Sequence, residues 1–347
     1  MALFRSVVTR VSRDHFQLRA KSTYAIAFDL DGVMYCGSDV VPRAKEALTS
    51  LKERGIPWIF LTNGGGVTEE EKAQALSHKL SFPIESWRIQ QAHTPLRNFV
   101  PHYRDRLILV FGSAGAKKVA LHYGFRRVLT TSDIHFAFPP IYPEKKPSPQ
   151  TLDFALHDLR ENRVEALFGF LDPPDFQKDL QICFDLARQN GYILPPSSRP
   201  PSSSSSAYPD LPIYYCGTDF FYMSNWPTPR FGAGVFSHIL RSVYKEANQV
   251  ELPITYYGKP FRQTFEYAES LLVDQGSKMG LSVDTIYMIG DNPETDIRGA
   301  NEIGGKWRSV LVRSGVYRGE GNHPIYPANA VVENVGDAVE MIQRMHT

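Results

Sequence analysis

The sequence predicts an α/β fold built on parallel strands, and two observations carry that prediction. After residue 23, short apolar runs alternate with amphipathic stretches, the pattern that strand–helix–strand connections leave in a sequence. Three of the runs end abruptly in polar clusters, as strands do where an open α/β sheet presents its carboxyl edge to a ligand.

Taken in order, Ala25-Ile26-Ala27-Phe28 reads as a buried first strand. Residues 42–54 read as a helix with Ala44, Leu48 and Leu51 inward and Gly55 as its stop. Trp58-Ile59-Phe60-Leu61 is the second strand. Thr68 followed by Glu71 forms a capping box that opens a helix reaching about Leu80. A second set of strands follows at 107–110, 166–168 and 213–215, and strands at 286–289 and 310–312 resume the first pattern. Two stretches interrupt this order. Residues 138–149 are Pro-rich. Residues 195–212 are a Ser/Pro tract that cannot bury enough apolar surface to offset its ordering entropy, so a disordered loop is expected there.

Composition narrows the function classes. A chain of 347 residues suggests two domains, and 42% hydrophobic with 22% charged residues is ordinary for a globular protein. The 38 Lys and Arg nearly balance 37 Asp and Glu, so nothing points to nucleic acid as a partner. Cys36, Cys183 and Cys216 lie far apart, which argues against a disulfide scaffold or a cysteine-built zinc site. No apolar run approaches the length of a transmembrane segment. Residues 1–22 stand apart. Five basic residues (Arg5, Arg10, Arg13, Arg19, Lys21) face a single acid, Asp14, and Phe4, Val8, Val11 and Leu18 share one helical face. An amphipathic, Arg-rich, acid-poor start without an apolar core is the pattern of a mitochondrial transit peptide, and a mitochondrial, matrix location is expected.

The chemistry-bearing residues sit at the strand ends. The first strand runs into Asp29-Leu30-Asp31-Gly32-Val33, the second into Thr62-Asn63-Gly64-Gly65-Gly66, and a late strand into Gly290-Asp291-Asn292-Pro293-Glu294-Thr295-Asp296. Between the second and the late strand, Gly258-Lys259-Pro260 places a lysine on a tight turn. Taken singly, each piece has an ordinary reading as a solvated turn, a surface lysine or a capped helix start. A calcium loop is excluded because the glycine is fourth and a strand precedes it. Phe111-Gly112-Ser113-Ala114-Gly115 lacks the spacing of a P-loop. Taken together, in this order, the pieces suit one phosphate-handling site.

In that order the motifs resemble those of the haloacid dehalogenase-like (HAD) hydrolases, and the forms Asp29-x-Asp31-Gly32-Val33, Thr62-Asn63, Gly258-Lys259-Pro260 and Gly290-Asp291-x-x-x-Thr295-Asp296 resemble subfamily IIA. LTNGGGVTEEEKAQALS, residues 229–236 (PRFGAGVF) and Tyr257-Gly258-Lys259-Pro260 are similar to a mitochondrial branch, that of the cat eye syndrome critical region protein and its fungal relatives. The resemblance implies a Rossmann-like core with a parallel sheet at 24–85 and 231–347. It also implies a large inserted α/β cap of C2 type at 86–230, with the Ser/Pro tract inside it.

The resemblance further implies a Mg²⁺-dependent phosphatase acting on a small phosphorylated metabolite, linked to glycerophospholipid metabolism by association alone. Asp29 would be the nucleophile, forming an aspartyl-phosphate. Asp31 would protonate the leaving alcohol and then activate water. Thr62, Asn63, Gly64 and Lys259 would bind the phosphoryl oxygens. Mg²⁺ would be held by Asp29, Asp31 through its main-chain carbonyl, and Asp291. Asp296 and Asn292 would stand behind these residues, orienting Lys259 and the metal's waters. A homodimer through the cap is expected on the same ground. The alternative is a mitochondrial binding or scaffold protein on this fold with little turnover. Loss of Asp29, Asp31 or Asp291 would mark it, and all three are present.

Overall fold

The computed structural model describes residues 21–149, 159–160, 162–194, 209–222, 228 and 230–347. Most of the basic N-terminal segment and most of the Ser/Pro tract lie outside the described residues. Lys21 and Ser22, assigned above to the transit segment, already pair with Leu281 and Ser282 in the first strand.

Six parallel strands form the first sheet, in the order Ala330–Val332, Trp307–Val312, Leu281–Gly290, Lys21–Phe28, Trp58–Leu61 and Ile89–Gln90. Alternation along the central strand divides two apolar faces. Ile26 and Phe28 join Phe60, Leu48, Leu51 and Ile342 on one side. Ala25 and Ala27 join Ile59, Leu61, Phe265 and Leu272 on the other. Burial on both faces is why Ala25-Ile26-Ala27-Phe28 and Trp58-Ile59-Phe60-Leu61 are continuous apolar runs with no polar member. The chain builds outward from Lys21–Phe28 through Trp58–Leu61. It later returns on the opposite side at Leu281–Gly290, so the strand order reverses between Lys21–Phe28 and Leu281–Gly290. Asp29 and Asp291 stand at the carboxyl ends of those two strands, the crevice where ligands bind in such sheets.

The flanking helices form as their local chemistry requires. Ala44–Arg54 buries Ala44, Ala47, Leu48 and Leu51 and ends at Gly55, whose φ of 64° lets its N–H return to Leu51 and Lys52. Glu69–Leu80 opens on the capping box, with Thr68 Oγ1 accepting from the Glu71 N–H at 3.3 Å and Glu71 Oε2 accepting from the Thr68 N–H at 3.0 Å. A cap of this kind contributes about 1 kcal/mol.

A second sheet of five parallel strands runs Thr255–Tyr257, Ile213–Cys216, Ala166–Phe170, Leu107–Gly112, Arg127–Thr130. It lies between a cluster containing Leu109, Phe111, Leu186, Phe236 and Leu240 and another containing Val110, Val119, Phe125 and Phe168. The seams between the two units therefore differ from those expected at 85/86 and 230/231. Ile89–Gln90 pairs with Phe60 and Leu61 in the first sheet. Helix Ala233–Asn248 packs its apolar face into the second unit, and Thr255–Tyr257 forms an edge strand there. A short strand with two or three apolar residues gives no sequence signal as to which sheet will take it.

The connector between the units is anchored by a buried carboxylate. Glu69 Oε1 accepts from Thr94 and Tyr123 hydroxyls, both at 2.6 Å, and Glu69 Oε2 pairs with Arg97 at 3.1 Å. All three cysteines are free, and no described helix is long and apolar enough to cross a membrane.

Candidate active site

Lys259 is the centre of the site. It is 2% exposed, with Nζ 2.5 Å from Asp29 Oδ1 and 2.7 Å from Asp296 Oδ1. Burial works against its charge, yet the two carboxylates outweigh that cost and hold its pKa above the ordinary lysine value. Asn63 determines where the lysine stands. Its Oδ1 accepts from the Lys259 N–H at 2.6 Å, and its Nδ2 donates to the Lys259 carbonyl at 2.9 Å. Gly258 precedes at a φ of 101°, a conformation costly for a residue with a Cβ. Asn63 Nδ2 also donates to Asp219 Oδ2 of the second unit at 3.1 Å. The amide expected to cradle a phosphate is thus occupied as a brace on Lys259. Thr62, 2% exposed, likewise turns Oγ1 to the Gly64 N–H at 3.0 Å.

Asp291 is seated just as tightly. Its Oδ2 accepts from the Val316 N–H at 2.6 Å. Gly32 and Gly315 close around it so nearly that a Cβ on either would lie 2.2 Å or 2.0 Å from Oδ2. Asp296 is brought inward by a wide helical turn over Pro293–Ile297, and its Oδ2 accepts from the Asn292 N–H at 3.0 Å. Asn292 itself caps that turn through Oδ1 to the Glu294 N–H.

Carboxylate oxygens of Asp29, Asp291 and Asp296 lie within 4.8 Å of one another. Asp31 stays outside this trio, and Tyr35 Oη reaches its Oδ2 at 3.4 Å. Burial, then the neighbouring Asp29, push the Asp31 carboxyl above the ordinary aspartate value. Burial, then Asp29 and Asp296, raise Asp291 well above it. Burial raises Asp296 to about 6 even though Lys259 opposes the shift. One ammonium does not balance three buried carboxylates. The remaining negative charge, presented on hard oxygen donors, fits a divalent, oxygen-seeking cation.

Residues 26–126 match the haloacid dehalogenase-like hydrolase model, and residues 256–338 match a second HAD-hydrolase-like model. A mitochondrial hydrolase of Saccharomyces cerevisiae is 32% identical over 353 residues, covering 95% of this chain and 97% of its own. The chain belongs to the haloacid dehalogenase-like hydrolases. A Schizosaccharomyces pombe protein named as a cardiolipin synthase (CMP-forming)/mitochondrial hydrolase fusion is 34% identical over 92% of this chain, which spans 53% of that longer protein. Among solved structures, a hypothetical protein of Pyrococcus horikoshii shares the fold at a TM-score of 0.66 and 23% identity, covering 92% of this chain and all of its own. The p-nitrophenyl phosphatase of Archaeoglobus fulgidus does so at 0.61 and 16%, covering 92% and 99%.

In this HAD-like hydrolase the site also contains residues to which the sequence reading assigned no role. Asp219 was legible only as a residue following a strand, because its contact with Asn63 spans 156 positions. Asp219→Ala is expected to lower kcat on p-nitrophenyl phosphate about tenfold with little change in Tm, since it removes one charge-assisted bond to the brace. An unchanged kcat would leave Asp219 without a part in holding Lys259.

Proposed function

We propose that this HAD-like hydrolase is a Mg²⁺-dependent phosphatase of the mitochondrial matrix, acting on a small phosphomonoester through an aspartyl-phosphate on Asp29. The observation that carries the reading is the buried group of Asp29, Asp291, Asp296 and Lys259 at the point where strand order reverses. The p-nitrophenyl phosphatase with the same fold supports the reaction class. The relatives named as mitochondrial hydrolases support the location. The cardiolipin synthase half of one relative's name supports a link to glycerophospholipid metabolism.

Asp29, Asp291 and the main-chain carbonyl of Asp31 would hold Mg²⁺, which supplies positive charge that lets a carboxylate approach a phosphate dianion. Asp29 attacks phosphorus and the phosphoryl group moves onto its carboxylate, while Asp31 gives its proton to the departing alkoxide. Asp31, now ionised, takes a proton from water. The hydroxide attacks phosphorus, inorganic phosphate leaves and the Asp29 carboxylate is restored. Lys259 stabilises charge on the phosphoryl oxygens and on Asp29 throughout.

The test is phosphate release by the full chain from p-nitrophenyl phosphate, glycerol 3-phosphate, phosphoglycolate, pyridoxal 5′-phosphate and hexose phosphates, with Mg²⁺ or with EDTA. Release that falls at least about 100-fold on chelation is expected. A silent panel together with no Mg²⁺-dependent binding of beryllofluoride would establish the non-catalytic reading instead.

A further inference from the structure

The three glycines that follow Asn63 are gripped by the segment leading into the second unit. The Ala92 N–H donates to the Gly64 carbonyl at 3.4 Å, and the Gly66 N–H donates to Nε2 of His93 at 3.2 Å. The fit is close, since a Cβ on Gly65 would lie 2.6 Å from Cδ2 of the imidazole. His93 is fully buried, with the Phe170 and Tyr123 rings of the second unit 5.3 Å and 5.9 Å away between centres. An N–H can only donate, so Nε2 is the bare nitrogen and Nδ1 carries the proton. Nδ1 therefore donates to the Tyr123 hydroxyl at 2.7 Å, and that hydroxyl donates to Glu69 Oε1 at 2.6 Å. Every proton between Glu69 and Gly66 then has one place. Burial lowers the His93 pKa to about 4, although Glu69 opposes the shift, so Nε2 remains an acceptor at neutral pH.

The turn held in this way belongs to the site. Phe28 and Phe60 are level in neighbouring strands, so Thr62 follows close to Asp29, and Asn63 braces Lys259. Within the turn, Thr62 Oγ1 takes the Gly64 N–H and His93 takes the Gly66 N–H. The Gly65 N–H lies between those two bonds. In a trans peptide it points opposite to the Gly64 carbonyl, which Ala92 holds, and it has no hydrogen-bond partner among the described residues. Consecutive glycines are the most permissive backbone, so the orientation of these peptide planes has to be imposed from outside the turn. We propose that His93 is a positioning residue, fixing the Gly64–Gly66 backbone so that the Gly65 N–H is presented to a phosphoryl oxygen. The inference rests on the phosphatase reading above and adds a residue outside the motifs that carry it. Because Tyr123 belongs to the second unit, the same relay ties the turn to that unit.

The test measures p-nitrophenyl phosphate hydrolysis with Mg²⁺, inhibition by inorganic phosphate, and Tm, on the full chain and on His93→Phe, His93→Gln and Tyr123→Phe. His93→Phe keeps a ring and removes the acceptor, whereas His93→Gln returns an acceptor near the place of Nε2. The expected result is that His93→Phe loses about 10-fold or more in kcat/KM and weakens phosphate inhibition about 5-fold, while His93→Gln stays within about 3-fold of wild type. Tyr123→Phe should lose about 3-fold or more alone and less than about 2-fold when added to His93→Phe, because both break one relay. Equal losses in the Phe and Gln variants, or phosphate inhibition unchanged in both, would reduce His93 to a packing residue. No loss in either would place it outside the reaction. These results overturn the inference while leaving the phosphatase standing. If His93→Phe does not fold, an unchanged kcat/KM in Tyr123→Phe overturns it in the same way. A wild-type chain that releases no phosphate overturns the phosphatase reading itself.

Discussion

Asp29→Asn is expected to lower phosphate release by about 10⁴-fold or more, because an amide is a poor nucleophile. The substitution is nearly isosteric, and its carbonyl oxygen keeps an acceptor for Lys259 Nζ where Asp29 Oδ1 stands at 2.5 Å. The fold should therefore survive. Stability of the metal-free protein at pH 8 should change little, since the Asp29 charge raises Asp31, Asp291 and Asp296 but is also the first counter-charge of Lys259. Removing it relieves three repulsions and gives up one short ion pair. Phosphate release and thermal unfolding with and without Mg²⁺ measure both effects, and the Mg²⁺-induced rise in Tm should shrink with the lost ligand. Activity within tenfold of wild type would rule out Asp29 as nucleophile.

Lys259→Met is the second large effect, and it acts on stability as well as rate. The lysine is 2% exposed and bridges two carboxylates, so its loss leaves buried like charges uncompensated at a cost of about 3–5 kcal/mol at neutral pH. The pH dependence has a definite sign. Asp296, raised to about 6 with the lysine present, and Asp291, also raised, bind protons in the folded state at pH values where the unfolded chain does not. A raised carboxyl adds stability that is complete below its unfolded pKa and is lost as pH rises through the folded value. The variant should therefore be more stable at pH 5 than at pH 8 in urea denaturation, with a steeper pH slope than wild type. Mg²⁺ should recover part of the loss at pH 8, by binding the same carboxylates. Turnover should fall about 10³-fold, as when a preorganised charge facing the reacting group is removed. A variant as stable as wild type at pH 8 would show that the carboxylates do not depend on this lysine.

The elements that were legible in the sequence are those whose signal is local. Trp58–Leu61 and the helix Glu69–Leu80 follow from a run of four apolar residues and from a capping box, and both stand where they were read. Five of the site's acidic and basic residues, Asp29, Asp31, Lys259, Asp291 and Asp296, were legible because each follows a strand or sits in a turn with its own signature. The sheet that takes Thr255–Tyr257 was not legible, and neither was the two-residue strand Ile89–Gln90, because strand pairing is settled between segments and not within one. The resemblance implies Asn63 as a phosphate ligand. The partners it has in the structure, the main chain of Lys259 and the carboxylate of Asp219, lie 196 and 156 residues away and could not be read from the sequence.

By itself, then, the sequence determined which polar residues stand at the strand ends, since burial pattern, caps and turns are short-range properties of the chain. The tertiary structure decided which of those residues meet. Only the packed fold sets one ammonium against three carboxylates, leaves Asp31 outside that trio beside Tyr35, and ties Asn63 to Lys259 and Asp219. Distance and desolvation, not residue type, determine charge and proton affinity there, and both depend on segments that meet only when the two sheets have formed.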